Sequence, residues 1–294
     1  MRKNEPMLPE RSLAGKNFVF FGGSTGMGKA AAVEVGKRGA CVLIIGRGRE
    51  AGQAAADAVG HAGAASAEYL YGDLSTVAGV GAVAEAVRAW RPNLHGVMHT
   101  AMTATRNKIE TTDGFEFAFA LQYFARAALN RLLLDHLAAS GDGRIVHIGG
   151  DVPSFIKVDL DDLQFEARKW GFMKSILGTH VLGELHIQEA ARRWQGLPVT
   201  IAVSCVGSTN TKTMADPQMP FYMRLMGRFG AAAEVSAQNA VRFLTMEDVR
   251  AANGATLRNP KTFTPQRLVL NQQDAERLWS ITESLAKQRG FALP

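Results

Sequence analysis

The chain has 294 residues, of which 47% are hydrophobic and 20% charged, and its formal net charge is +6. This length and composition predict one folded domain, residues 1–294, and argue against a disordered or fibrous protein. Lysine and arginine are scattered along the chain without a nucleic-acid motif, so the positive charge favours a pocket for a phosphorylated cofactor over a nucleic-acid partner.

The first ten residues, Met1–Glu10, are polar and lack the apolar core of a signal peptide. No run of about 18 apolar residues, the length that spans a bilayer, occurs in the chain. Cys41 and Cys205 each lie in an apolar run, which favours buried, reduced thiols over a metal or redox site. The sequence therefore predicts a cytoplasmic protein with no membrane segment and no metal centre.

Short apolar runs with strand character alternate with longer helical patterns, which is typical of a parallel sheet covered by helices on both faces. The predicted strands are Asn17–Phe21, Cys41–Ile45, Glu68–Tyr71, His95–His99, Arg144–Ile148, Val199–Ser204 and Arg267–Leu270. The predicted helices include Met27–Arg38, Glu50–Val59, Val77–Trp90, Phe115–Ala138 and Gln164–Trp194. We expect an α/β Rossmann fold, a doubly wound parallel sheet of about seven strands.

A glycine-rich run connects the first strand to the first helix. It consists of Gly22, Gly23, Ser24, Thr25, Gly26, Met27 and Gly28. Gly22 permits a tight turn, Gly26 lets the backbone approach a pyrophosphate, and Gly28 lets the helix pack close to the sheet. Since the helix then presents its free N–H groups to the phosphates, this run is predicted to bind a dinucleotide. The alternative is a plain glycine-rich turn.

The second strand ends in Gly46, Arg47, Gly48 and Arg49. Folds of this type that bind NAD usually place an acidic residue here, where it accepts hydrogen bonds from the adenosine ribose. Arg47 instead offers a planar cation suited to a 2′-phosphate. NADP(H) is therefore the predicted cofactor, and the alternative is that both arginines are merely solvated surface groups.

Several features resemble the short-chain dehydrogenase/reductase superfamily, and the resemblance covers nearly the whole chain. They are the glycine-rich run, Arg47, Asp73, Leu74 and Lys174. Two segments, Thr111–Leu134 and Asp274–Trp279, are most similar to the retinol-dehydrogenase branch. The further cofactor contacts that the resemblance implies are Asp73 and Leu74 at the adenine, Thr100 and Ala101 after the fourth strand, Thr209 and Thr211 at the nicotinamide amide, and Lys174 at the ribose.

The family reduces carbonyls with Asn, Ser, Tyr and Lys side chains, and here only the lysine position matches. By the resemblance, the four positions are Gln122, Gly150, Trp170 and Lys174. None of the four tyrosines of the chain is followed by lysine four residues later. An indole N–H donates a hydrogen bond but is far too weak an acid to transfer the proton. Losing one donor to a developing oxyanion commonly costs about 10²–10³ in rate, so an unactivated ketone is predicted to be a poor substrate.

Two interpretations remain open. In the first, the chain is a reductase whose substrate supplies the proton, through its own hydrogen-bonded hydroxyl or through conjugation. In the second, it binds NADP(H) without turnover, as a sensor or partner subunit. A weaker third is reduction of a conjugated C=C bond. His147, His99, His180 and Asp151 are candidate substitutes for the acid. Strand alternation favours a structural His147, a structural role is likewise favoured for His99 and His180, and a turn explains Asp151 equally well.

A methionine-rich segment follows the sixth strand, and we expect a helical lid at about residues 208–230. Met219, Met223 and Met226 recur at helical spacing, for which core packing is the alternative explanation. The predicted substrate contacts are Gly150, Trp170, Met219, Tyr222, Met223 and Met226. Adaptable side chains of this kind suit a large apolar aromatic ligand. The leading hypothesis is an atypical NADPH-dependent ketoreductase in which Lys174 orients the cofactor, similar to the angucyclinone polyketide ketoreductases of antibiotic biosynthesis. The oligomeric state stays open.

Overall fold

The computed structural model describes residues 11–103, 105–153 and 155–294, so Met1–Glu10 of the predicted domain lie outside the described residues. Within these ranges one sheet contains eight strands in the order β3-β2-β1-β4-β5-β6-β7-β8. The strands are β1 Asn17–Phe21, β2 Cys41–Gly46, β3 Ser66–Tyr71, β4 Gly96–His99, β5 Gly143–Gly150, β6 Val199–Val206, β7 Ala255–Leu257 and β8 Gln266–Arg267. All neighbours pair in parallel except β7 and β8. The order reverses at β1, which confirms the doubly wound Rossmann fold.

The sheet differs from the prediction at its last edge. β7, only three residues long, is too short to show a period, and the sequence pattern missed it. The predicted strand Arg267–Leu270 is reduced to the two-residue β8, which runs antiparallel to β7. The six strands that carry the carboxyl edge were predicted correctly to within a few residues.

The helices cover both faces of the sheet. They are α1 Gly26–Gly36, α2 Arg49–His61, α3 Val77–Trp90, α4 Ala125–Leu132, α5 Leu134–Ala138, α6 Phe172–Arg193, α7 Lys212–Ala215, α8 Phe221–Arg228, α9 Ala233–Ser236, α10 Gln238–Thr245 and α11 Gln272–Gln288. β1 shows the division: Val19 and Phe21 pack towards α3, α4 and α11, whereas Phe18 and Phe20 pack towards α1, α2 and α10. In the described part of the chain, no helix has both the length and the apolar character needed to cross a membrane.

Two predicted helices are shorter or more irregular than the pattern suggests. The predicted helix Phe115–Ala138 begins with a π-helix, Phe119–Phe124, before α4 and α5, and such π segments occur often at functional sites. The predicted helix Gln164–Trp194 starts only at Phe172. The cause is Asp162, whose carboxylate accepts the N–H groups of Glu166, Ala167 and Arg168 and so holds a loop in place of a helical turn.

Candidate cofactor cleft and reaction site

The turn after β1 requires glycine at two positions. Gly22 has φ +93°, and a Cβ there would lie 2.4 Å from the backbone nitrogen of Ala101. A Cβ on Gly28 would lie 2.5 Å from the carbonyl oxygen of Gly22 and 2.6 Å from Thr100 Oγ1. Thr100 Oγ1 donates to that same carbonyl, at 2.9 Å. β1, the turn and the loop after β4 therefore meet at backbone contact, which leaves an open groove in front of α1.

A cleft of about 300 Å³ occupies this groove at the carboxyl edge of β1, β2 and β4. Thr25, the N-cap residue of α1, makes no capping hydrogen bond through its side chain, so the first N–H groups of this eleven-residue helix face the cleft. The predicted contacts that line it are Gly22, Ser24, Thr25, Gly26, Met27, Gly28, Arg47, Leu74, Thr100, Ala101 and Thr211. Leu121 and Thr213 also line it and were missed, although Leu121 adjoins Gln122 and Thr213 adjoins Thr211.

Arg47 borders the cleft at the end of β2. Its side chain is exposed, and its guanidinium carbon lies 5.7 Å from the ring centre of Phe117. Among the described residues it forms no ion pair with a carboxylate. Arg49 does not line the cleft and instead stacks on Tyr71, at 4.6 Å. The two neighbouring arginines thus differ, and only Arg47 is placed to meet an anionic ligand in the cleft.

Two other predicted cofactor residues make contacts outside the cleft lining. Asp73 Oδ1 accepts hydrogen bonds from the backbone N–H and the hydroxyl of Ser75, at 3.0 and 2.7 Å, and so shapes the turn before α3. Thr209 is buried, and its hydroxyl lies 3.0 Å from the carbonyl of Gly207 and 2.8 Å from Ser236 Oγ. The structure gives both side chains local partners that stabilise loops at the edge of the cleft.

Lys174 and Trp170 are not brought to the cleft. Lys174 is exposed and borders a separate cavity of about 20 Å³ beside Glu116 and Ser175. Trp170 precedes α6, and its indole N–H donates to Glu116 Oε1, at 3.1 Å. Ser175 Oγ donates to the same oxygen, at 3.0 Å. Asp162 delays the start of α6, and Glu116 binds the first turn of this helix. The part of α6 that faces the carboxyl edge of the sheet therefore lies further along the chain than Lys174.

The residue of α6 that reaches this edge is His180. The backbone N–H of Gly150, the last residue of β5, donates to His180 Nδ1, at 3.1 Å. At the preceding residue, Thr179 Oγ1 accepts from Gln122 Nε2, at 3.0 Å, and Gln122 Oε1 accepts the N–H of Thr103, at 3.2 Å. Gln122 therefore ties the loop after β4 to α6, and His180 ties α6 to β5.

A buried cation lies beneath these contacts. Arg126 on α4 is 7% exposed, and its Nη1 and Nη2 donate to the carbonyls of Ile148 and Ala101, at 2.7 and 3.0 Å. Among the described residues it has no carboxylate partner. Burial lowers its pKa to about 10, so it stays charged at neutral pH. Burial, and next the charge of Arg126, lower the pKa of His180 to about 4. The carboxyl end of β5 thus has a buried positive charge and a neutral imidazole beside it.

The other candidate acids have partners of their own. His147 is buried, and its Nε2 accepts from Asn130 Nδ2 at 2.9 Å, while burial holds its pKa well below the usual range. Asp151 is exposed and forms an ion pair with Arg258. Neither group is placed as a proton donor to the cleft.

The lid segment forms α7 and α8, but the predicted pocket side chains do not converge. Met219 is 1% exposed and packed inside, whereas Tyr222 and Met226 are 49% and 53% exposed. Met223 is half-buried. A cavity of about 290 Å³ lies instead between α7 and α8, lined by Asn210, Thr211, Ala215, Phe221, Arg224, Leu225, Gly227 and Arg228. Because Thr211 lines both spaces, the lid cavity adjoins the cleft.

Comparisons with known proteins agree with this architecture. The family model for "short chain dehydrogenase" matches residues 16–154. Retinol dehydrogenase 12 of Mus musculus is 28% identical over 275 residues, 92% of this chain and 86% of that protein. The "Putative daunorubicin C-13 ketoreductase DnrU" of Streptomyces sp. (strain C5) is 25% identical over 186 residues, 63% of this chain and 64% of that protein.

Among solved structures, a 3-oxoacyl (acyl-carrier-protein) reductase of Agrobacterium tumefaciens C58 with NADP bound aligns with a TM-score of 0.66 and 21% identity. The alignment covers 84% of this chain and 94% of that one, and it shows a shared fold. Residues 16–154 therefore match the short-chain dehydrogenase family, and the chain is similar to a retinol dehydrogenase over 92% of its length.

Proposed function

We propose that this chain is an atypical NADPH-dependent ketoreductase that reduces a carbonyl of a large aromatic polyketide. The observation that carries the proposal is the cleft in front of α1, which is bordered by Arg47 and adjoins the lid cavity at Thr211. Two comparisons support it: one similar protein is named "Putative daunorubicin C-13 ketoreductase DnrU", and a structure of the same fold holds NADP. The loss of Ser and Tyr together is also similar to the angucyclinone ketoreductase of simocyclinone biosynthesis.

The cleft residues fit a phosphorylated dinucleotide. Glycine at position 22 lets the turn lie against the backbone of Ala101, and the amino end of α1 borders the cleft that would take a pyrophosphate. Arg47, free of carboxylates among the described residues, supplies the cation for a 2′-phosphate. A bound NADPH would supply the hydride. Lys174, expected from the sequence to orient the ribose, lies beside Glu116 and has no role in this proposal.

The protein offers no hydroxyl at Gly150, and His147 and Asp151 are otherwise engaged. The proton for the product alcohol is therefore assigned to the substrate. A carbonyl with a neighbouring phenol carries an internal hydrogen bond, so the phenol transfers its proton to the oxygen as the carbonyl is reduced and regains one from water. Hydroxylated polycyclic aromatic ketones have this arrangement, and the apolar part of the lid cavity, with Phe221 and Leu225, suits their flat rings.

The test compares NADPH oxidation with a peri-hydroxy polycyclic ketone, its methyl ether and a simple aliphatic ketone. The hydroxy ketone alone is expected to be reduced at an appreciable rate, because methylation removes the proton relay and leaves ring size unchanged. Product mass and NMR would distinguish the alcohol from a saturated ketone formed by C=C reduction. Equal turnover of the hydroxy ketone and its ether would refute the substrate relay.

A second candidate function is NADP(H) binding without turnover, as in a sensor or partner subunit. The missing side chain at Gly150 and the placement of Trp170 on Glu116 favour it, because no hydroxyl acid reaches the cleft from either position. It predicts that NADPH fluorescence changes on binding while no ketone or enone in a panel causes NADPH consumption. Consumption with the hydroxy ketone would exclude it.

A further inference from the structure

We propose that His180 replaces the missing serine hydroxyl, with its Nε2–H donating a hydrogen bond to the carbonyl oxygen of the substrate. This inference rests on the proposed ketoreductase function and names a catalytic side chain for it. In this proposal, glycine at position 150 removes the serine hydroxyl, and the histidine at position 180 supplies the hydrogen-bond donor in its place.

The first support is steric. A Cβ built on Gly150 would lie 3.2 Å from both Cε1 and Nδ1 of His180, closer than side chains normally approach. A side chain at position 150 therefore presses on the imidazole of His180, which has to shift by a few tenths of an ångström. The ring packs directly against the position that carries the serine in the family, and glycine at the end of β5 leaves it without a close contact there.

The second support is the tautomer. The N–H of Gly150 donates to His180 Nδ1, at 3.1 Å, so Nδ1 must be the unprotonated acceptor. The proton of the neutral ring consequently lies on Nε2. Within the part of the chain that the structure describes, Nε2 of His180 has no hydrogen-bond partner. The backbone of β5 thus fixes a ring whose one remaining N–H is available to a ligand.

The third support is charge. Burial, and next the charge of Arg126, disfavour an imidazolium and lower the pKa of His180 to about 4. Glu184, on the next turn of α6, accepts from Cys205 Sγ, and Asp151 pairs with Arg258. Neither carboxylate is hydrogen-bonded to the imidazole, so His180 stays neutral at physiological pH. A neutral imidazole stabilises developing negative charge by donation, as a fixed electrophile does.

The chemistry then balances without a protein acid. A hydride adds to the carbonyl carbon, the π pair of the C=O bond moves to oxygen, and that oxygen takes the proton of the neighbouring phenol. The phenolate regains a proton from water. His180 keeps its own proton throughout, and Arg126, held by the carbonyls of Ala101 and Ile148, adds a fixed positive charge below.

The test uses His180→Asn, which keeps an acceptor near the position of Nδ1 for the N–H of Gly150 but has no group at Nε2. We expect kcat/KM for the hydroxy ketone to fall by about 10²–10³, the effect of losing one oxyanion donor, with an unchanged Kd for NADPH. The matched control is His95→Asn. His95 Nδ1 also accepts a backbone N–H, that of Asn17, at 3.1 Å, and its pKa is also lowered to about 4, but it lies at the amino edge of the sheet.

Gly150→Ser provides the opposite perturbation. Restoring the residue of the family is expected to reduce kcat/KM by at least about tenfold, because the side chain displaces the imidazole. In the double variant Gly150→Ser with His180→Ala the clash is relieved, so kcat/KM should exceed that of Gly150→Ser alone. An increase in activity on Gly150→Ser alone would overturn the proposal.

A measurement on the wild-type protein is independent of turnover. In ¹⁵N NMR of the ring, His180 should show protonated Nε2 and unprotonated Nδ1, without titration above about pH 6. The Nδ1–H tautomer, or near-wild-type kcat/KM in a folded His180→Asn variant, would overturn the role of His180. If the wild type itself reduces no hydroxy ketone, the proposed function fails instead, so the two failures are distinguishable.

Discussion

A buried histidine network makes the stability of the fold depend on pH. Asn130 accepts from His99 Nε2 at 2.9 Å and donates to His147 Nε2 at 2.9 Å and to His186 Nε2 at 3.2 Å. His186 is 3% exposed and stacks on Trp279, with ring centres 5.4 Å apart. His147 and His186 both accept from this carboxamide through Nε2, so neither gains a proton there without losing its hydrogen bond to Asn130.

The magnitude follows from the pKa of His186, which burial, and next the charge of Arg131, lower to about 3. The unfolded chain titrates near the usual value of about 6.5, so below that pH the unfolded state binds more protons and the folded state loses stability. Each pH unit in this window is worth about 1.4 kcal/mol per histidine, so lowering the pH from about 6.5 to 5 costs about 2 kcal/mol through His186 alone. His99 and His147, whose pKa values also lie well below normal, act in the same direction.

The assay is urea unfolding at pH 7 and pH 5 of the wild type and of His186→Gln, whose amide can still accept from Asn130. We expect the variant to be less stable at pH 7, because the stacking on Trp279 is lost, but to lose about 2 kcal/mol less than the wild type on acidification. His61→Gln, an exposed site at the end of α2, is the control and should leave the pH difference unchanged. The same pH difference in wild type and His186→Gln would refute the reasoning.

Three further predictions concern the cleft. Arg47→Asp should weaken NADPH binding by about 10- to 100-fold, because a charge-assisted hydrogen bond is lost, and should shift the cofactor preference towards NADH in fluorescence titrations. Arg49→Asp, at a residue outside the cleft, is the control. An unchanged cofactor preference in Arg47→Asp would exclude a contact of Arg47 with the 2′-phosphate. Gly22→Ala should lower the free energy of unfolding by about 1–3 kcal/mol and abolish NADPH binding, because the new Cβ would lie 2.4 Å from a backbone nitrogen. Retained NADPH binding in calorimetry would contradict the requirement for glycine at this position. Arg126→Gln should raise the pKa of His180 towards its usual value, measured by NMR titration, since a repelling charge is removed; an unchanged pKa would show that burial alone sets it.

The cofactor cleft could be predicted from the sequence because its determinants are local. The residues from Gly22 to Gly28 are contiguous, and their chemistry and their position between a strand and a helix together indicate a dinucleotide site. Arg47 likewise follows directly from the end of β2. By contrast, the lid spacing predicted a helix but not its orientation: α8 forms, yet Met226 lies exposed and Met219, just before the helix, is buried. Periodicity defines which residues share a face and does not define what covers that face.

The register of α6 against the sheet could not be predicted, for a different physical reason. It depends on contacts between segments far apart in the chain: Glu116 accepts from both Trp170 and Ser175 at the first turn, and Gln122 bonds Thr179 one turn later. A lysine four residues after a tryptophan suggested the family motif in degraded form, whereas the tertiary contacts present His180 to β5 instead.

The glycine at position 150 gains its meaning only from this register. Taken alone, Gly150 only lacks the hydroxyl of the family's serine. Beside His180, the same glycine leaves room for the imidazole. The two positions are separated by 30 residues, and a single backbone hydrogen bond joins them. If that bond defines the site, then Gly150 and His180 must change together: substitution at either position alone lowers activity, and the combined substitution departs from the sum of the two. If the two residues act together, the effects of the single substitutions on kcat/KM should therefore fail to add by more than about 0.5 kcal/mol. Additive effects would mean that the two substitutions lower activity independently.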